Sequence, residues 1–205
     1  MTRRRTIALW TAATVAWTAV AFVGMAALMR SAFTPDAPAD AQAVWPVDLD
    51  LPRTRNEAAY IVCLHPRCPC SEATADALIE VLGTATNADA YALFAVPDNA
   101  GPDWTDTDLV TRLRHVKGLH IVLDRGGRRS ALLGAKASGQ AYVYDPAGRL
   151  VFAGGLTPGR GERGESVGLS VFRASVSGHA NNAAADRAPV FGCALIRPSK
   201  TKAGS

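Results

Sequence analysis

The side chains with the most chemistry in this 205-residue chain stand close together. Cys63, His65, Arg67, Cys68 and Cys70 all fall within Tyr60–Glu72, YIVCLHPRCPCSE. Of the four cysteines, only Cys193 lies elsewhere. Two cysteines flanking one proline can exchange disulfides or bind a soft metal, because thiolate is both the nucleophile and the ligand. The apolar run 59–64 precedes the pair and a helix-forming run, 71–82, follows it. Cys68 therefore sits where a strand gives way to a helix, with Pro69 suited to the first helical position. The unpaired amides and the dipole of a helix start favour negative charge, and so a thiolate on Cys68. Arg67 and His65 are read as adding positive potential beside it. A disulfide between Cys68 and Cys70 must close across one residue, which strains it, and strained exposed disulfides are the oxidising ones. Cys63, inside the apolar run, reads as a core thiol. Cys193 has two readings that stand open, a third thiol of the site or a structural thiol.

The elements that position these residues follow from composition and periodicity. Thr6 to Met29 carries no ionisable side chain and follows Arg3, Arg4 and Arg5. As a helix it would cover about 36 Å, enough for a hydrocarbon core of about 30 Å. The arginines place its N-terminus in the cytoplasm and everything beyond Arg30 on the outer side. The rival is a cleaved signal, for which Ala41-Gln42-Ala43 offers a small-residue site. Both readings export the rest of the chain to a compartment where disulfides persist. The net charge of +4 is modest and the other arginines are scattered among acids, so nucleic acid is not an expected partner.

Four regions follow: 1–30, a membrane anchor; 31–56, a Pro/Ala-rich extended tether; 57–176, the folded domain; and 177–205, a flexible loop and a tail docking through 189–196. Within the domain, 59–64 predicts a buried strand and 71–82 a helix closed by Gly83. Strands are expected at 90–96 and 119–123, a helix at 107–115 and a short helix at 129–135. A hairpin is expected over 141–153 and a closing helix over 165–176. That order gives an α/β domain with a mixed sheet flanked by helices. The loop 157–165, TPGRGERGE, has two readings, a cover over the redox site or, by preference, a plain surface loop, and it carries no phosphate-binding pattern.

A strand ending in a proline-containing dicysteine turn, then a helix, resembles the thioredoxin superfamily over residues 57–176. The segment YVYDPAGRLV, 142–151, is similar to the hairpin of membrane-anchored thioredoxin-like proteins of bacteria. HPRCPCS (65–71), SGQ (138–140), Gly154-Gly155 and VFGC (190–193) resemble the RedB-like group. The resemblance implies a thioredoxin-like fold behind one N-terminal transmembrane helix. It implies a redox-active Cys68–Cys70 pair supported by His65, Arg67, Pro69, Gly139 and Cys193. Two departures stand out. The family's pair is spaced by two residues rather than one. Its cis-proline has no counterpart here, because Ser138-Gly139-Gln140 occupies that place.

The leading expectation is a single-pass inner-membrane thiol–disulfide oxidoreductase facing the periplasm. Its partners would be client protein thiols or disulfides and, through residues 6–29, the membrane; no organic cofactor is implied. One alternative is a copper-binding protein using Cys68, Cys70 and either His65 or Cys193, since soft thiolates suit Cu(I). The other is a non-catalytic interaction module.

Overall fold

The computed structural model describes residues 2–36, 40–54, 57–83, 89–178 and 186–195. The chain divides into two units after Thr34. The first is a single helix, α1 (Thr2–Phe33). Its residues from Arg3 to Phe33 are long and apolar enough to cross a membrane, a property that anchors and signal sequences share. The threonines that dilute its hydrophobicity are satisfied within it. Thr11, Thr14 and Thr18 donate their hydroxyls to the carbonyls of Ile7, Trp10 and Thr14, at 2.8, 2.8 and 3.0 Å. Their polar atoms thus do not oppose a lipid environment.

The second unit, from Pro35 onward, is built on a mixed sheet. Its strands are β1 (Ala59–Leu64), β2 (Asp89–Val96), β3 (Leu119–Arg125), β4 (Gln140–Tyr144), β5 (Leu150–Gly155) and β6 (Asp186–Arg187), in the order β3-β2-β1-β4-β5-β6. β1 lies at the centre, parallel to β2 and antiparallel to β4, with Cys63 opposite both Leu93 and Gln140. Every residue of β1 is buried, as expected of a strand covered on both faces.

Period-two alternation sorts the strand residues onto two faces. Tyr60, Val62, Leu64, Phe94, Val143 and Phe152 face three helices: α2 (Pro69–Gly83), α3 (Asp108–Arg114) and α5 (Val167–Val176). The inward positions of those helices are Leu78 and Val81, Leu109 and Leu113, and Leu169 and Phe172. Thr107 and Ser166 cap α3 and α5, their hydroxyls accepting from the amides of Val110 and Leu169. Ile61, Cys63, Leu93, Tyr142 and Tyr144 occupy the other face. This is the α/β, thioredoxin-like architecture: parallel strands with crossover helices, then an antiparallel hairpin and a closing helix.

The covering of the second face departs from the expected tether. Leu49 and Leu51 are buried against the sheet, and Trp45 meets Tyr144 edge-on at 5.4 Å. Residues 40–51 form no helix and turn at Val47-Asp48, yet they close the core beside Leu133, the cap residue that follows α4 (Arg128–Leu132). The tail adds Leu195 to the same cluster. β6 was not expected, because a two-residue edge strand carries no readable period; it pairs in parallel with Phe152 and Ala153. Position 196, the end of the expected docking segment, lies outside the described residues.

Candidate functional site

The strand-to-helix junction is built from local bonds. After β1 the chain turns at His65-Pro66-Arg67, and the Cys68 amide donates to the His65 carbonyl at 3.2 Å. Pro69 opens α2, and the Ser71 amide donates to the Cys68 carbonyl at 2.9 Å. The Ser71 hydroxyl accepts from the His65 amide at 3.1 Å and bonds the Ser138 hydroxyl at 2.6 Å. That one serine therefore ties together the end of β1, the start of α2 and the loop before β4. In the same loop Gly139 has φ of 89° and donates its amide to the Cys63 carbonyl at 2.8 Å.

Three thiols converge on this junction. The Sγ atoms of Cys68, Cys70 and Cys193 all lie within 4.8 Å of one another, and those of Cys70 and Cys193 are 3.7 Å apart. All four cysteines are free thiols; Cys68 and Cys70 are buried and Cys193 is exposed. Burial opposes charge on Cys68, but the Cys193 thiol, the amides of Ser71 and Cys70 and the Cys70 thiol together hold its pKa below the ordinary value. Burial and the neighbouring Cys68 charge raise Cys70, against a lowering by the Arg160 charge. Burial and the Cys68 and Cys70 thiols push Cys193 up to about 12. Cys63 is fully buried and likewise pushed up to about 12, chiefly by burial, so it belongs to the core.

These directions fix an order of ionisation. A depressed pKa means that thiolate persists to lower pH, so Cys68 is expected to ionise first. Thiolate absorbance in the far ultraviolet should show a first step below the pH at which an ordinary cysteine titrates. Cys68→Ser should remove that step, and its survival would assign it to another thiol.

Several predicted site residues take other roles. His65 is not part of the sulfur cluster. Its Nδ1 accepts from the Arg67 amide at 3.2 Å, its ring packs edge-on against Trp104, and burial with the Arg67 charge holds its pKa down. Of the two expected candidates for a third member, His65 and Cys193, the cluster among the described residues holds Cys193. Arg67 has partners of its own. Its guanidinium pairs with Asp103 at 2.8 Å and lies over the Trp104 ring, 4.4 Å from its centroid.

Arg160, from the loop 157–165, sets a positive charge beside Cys70 and Cys193, as the reading of that loop as a cover over the site would have it. It donates to the Gly192 carbonyl and pairs with Asp36 at 2.8 Å. Asp36 in turn accepts from the Gly192 amide at 2.8 Å, while its own amide donates to the Val190 carbonyl. This clasp joins three segments distant in sequence, so no local pattern announces it.

The tail is held to the junction by one isolated bridge and the backbone bonds beside it. Ala194 bridges Ala137 antiparallel, the Ser138 amide donates to the Cys193 carbonyl at 2.8 Å, and the Leu195 amide to the Lys136 carbonyl at 3.1 Å. A Cβ on Gly192 would overlap the Ser138 carbonyl oxygen, a backbone atom that cannot swing aside. Gly192→Ala is thus expected to loosen the tail by about 1–3 kcal/mol. Hydrogen exchange at the Ser138 amide should then quicken by about 5- to 150-fold, and an unchanged rate would mean that the tail is held elsewhere.

Beside the cluster opens a cleft of about 730 Å³, lined by His65, Cys68, Val96, Trp104, Arg160 and Cys193 among others. No family model matches the chain, and neither does any curated protein. Solved structures do. An uncharacterized conserved protein from Geobacillus kaustophilus aligns with a TM-score of 0.56 at 16% identity, over 82% of this chain and 94% of its own. A hypothetical protein from Sinorhizobium meliloti aligns with a TM-score of 0.54 at 19% identity, over 79% and 93%. A structure of MTB dsbF in mixed oxidized and reduced forms aligns with a TM-score of 0.45 at 15% identity, over 60% and 81%. At these identities the first two share the fold of this chain and nothing more.

Proposed function

We propose that the chain is a membrane-anchored thiol–disulfide oxidoreductase whose domain faces the periplasm and works through Cys68 and Cys70. One observation carries the reading: Cys68 stands at the start of α2, beside a cleft, with amide and thiol donors directed at its sulfur. The cleft has room for an extended client segment, and its His65–Trp104 wall and Arg160 offer apolar and cationic contacts.

The exchange balances within the two thiols. Cys68 thiolate attacks a client disulfide, forming a mixed disulfide and releasing one client thiolate. Cys70 thiolate then attacks the Cys68 sulfur, closing Cys68–Cys70 and releasing the second client thiol. The client gains two electrons and the chain loses two. Run backwards, the same steps oxidise a client dithiol, the direction favoured by a disulfide closed across one residue. Glutathione disulfide is a sufficient probe. The double variant Cys70→Ser, Cys193→Ser should accumulate one glutathione adduct on Cys68, while the unaltered chain resolves it. No adduct on Cys68 would sink the reading.

A further inference from the structure

The exchange uses two thiols, yet the fold delivers a third. Cys193 lies 123 positions beyond Cys70 and still reaches its sulfur at 3.7 Å. A Gly192 backbone pressed on Ser138, an antiparallel bridge, and the Asp36–Arg160 clasp all hold it there. A resolving cysteine needs no such triangle.

We infer that Cys68, Cys70 and Cys193 form a three-thiolate site for one soft monovalent cation, Cu(I). Three sulfurs in a plane about 2.3 Å from a central ion stand about 4 Å apart. The observed triangle, with one edge of 3.7 Å and none above 4.8 Å, needs only small side-chain rotation to match. The donor set selects the ion. Soft thiolates suit Cu(I), whereas structural zinc takes four ligands. No histidine or carboxylate joins the cluster among the described residues. Of the nearby candidates, His65 stands outside the cluster with its Nδ1 accepting from the Arg67 amide, and Asp36 accepts from Arg160 and from the Gly192 amide. Three thiolates around one monovalent cation leave two negative charges, which the Arg160 guanidinium and the α2 N-terminus face. The exposed Cys193 gives the ion its way in. The site does not depend on exchange activity, since a chain inert toward disulfides would hold the ion equally well.

The test uses the full-length chain in detergent, reduced and anaerobic, titrated with Cu(I) against a chromophoric Cu(I) chelator. One Cu(I) per chain is expected, with an X-ray absorption spectrum fitted by three sulfurs and no nitrogen. Losing one ligand should cost more than losing a ligand's supporting partner, itself worth about 10- to 100-fold. Cys68→Ser, Cys70→Ser and Cys193→Ser should therefore each weaken binding by at least about 100-fold. His65→Ala should leave it unchanged. Equal affinity in Cys193→Ser, a two-sulfur spectrum, or one ion shared between two chains would overturn the inference. The sulfur count is read on the unaltered chain, so a variant that fails to fold does not shield the claim.

Discussion

Replacing Cys68 by serine is expected to slow exchange with a disulfide substrate by more than about 10³-fold, the scale on which an enzyme loses its nucleophile. The substitution changes one atom at a buried position, so the fold should persist and the loss should lie in chemistry. Neither neighbour can take over at neutral pH. Cys70 is raised by burial, and Cys193 is pushed up to about 12. Serine accepts the same amide bonds from Ser71 and Cys70 but offers a hydroxyl that stays protonated. The rate of dithiol oxidation by the oxidised chain, or of glutathione disulfide reduction by the reduced one, reads the effect directly. A loss below about tenfold would move the nucleophile to another thiol.

The second large effect concerns the support for the sheet. Phe172 is fully buried and makes edge contacts with Tyr60 and Phe152, at 5.7 and 6.4 Å between ring centroids. It is the main anchor of α5, helped by the Tyr60 hydroxyl, which donates to the Ser175 carbonyl at 2.9 Å. Phe172→Ala removes the ring from a packed site and should destabilise the second unit by about 3–5 kcal/mol. That is a large share of a domain stability of about 5–15 kcal/mol. Urea unfolding measures it. The junction of β1 and α2 is tied directly by Ser71, which bonds His65 and Ser138, so the folded fraction should keep the early ionisation of Cys68. A loss under about 1 kcal/mol would mean that α5 is docked by its cap and ion pairs instead.

What the sequence revealed was local. The apolar run 59–64, the proline opening α2 and its amphipathic stripe are all signals within a few residues, and they place Cys68 where the fold has it. The hairpin was readable for the same reason. The covering of the second face was not, because Trp45, Leu49 and Leu51 are spaced among prolines with no helical or strand period. Their burial is set by the sheet face beneath them. The Arg160–Asp36 clasp was out of reach for a related reason: its members come from a glycine-rich loop, the supposed tether and the tail. His65 and Arg67 have partners that adjacency in sequence does not announce. Trp104, from the turn after β2, packs against His65, and Asp103 pairs with Arg67.

Cys68 and Cys70, on the function proposed above, form a two-electron couple. The decisive measurement equilibrates the chain in graded dithiol–disulfide buffers, then counts and maps alkylated thiols by mass spectrometry. One two-electron transition that includes Cys68 and Cys70 is expected, absent in Cys68→Ser, with Cys63 reduced throughout. If Cys68 stays reduced at every potential, or the transition persists without it, the two cysteines are not a redox couple.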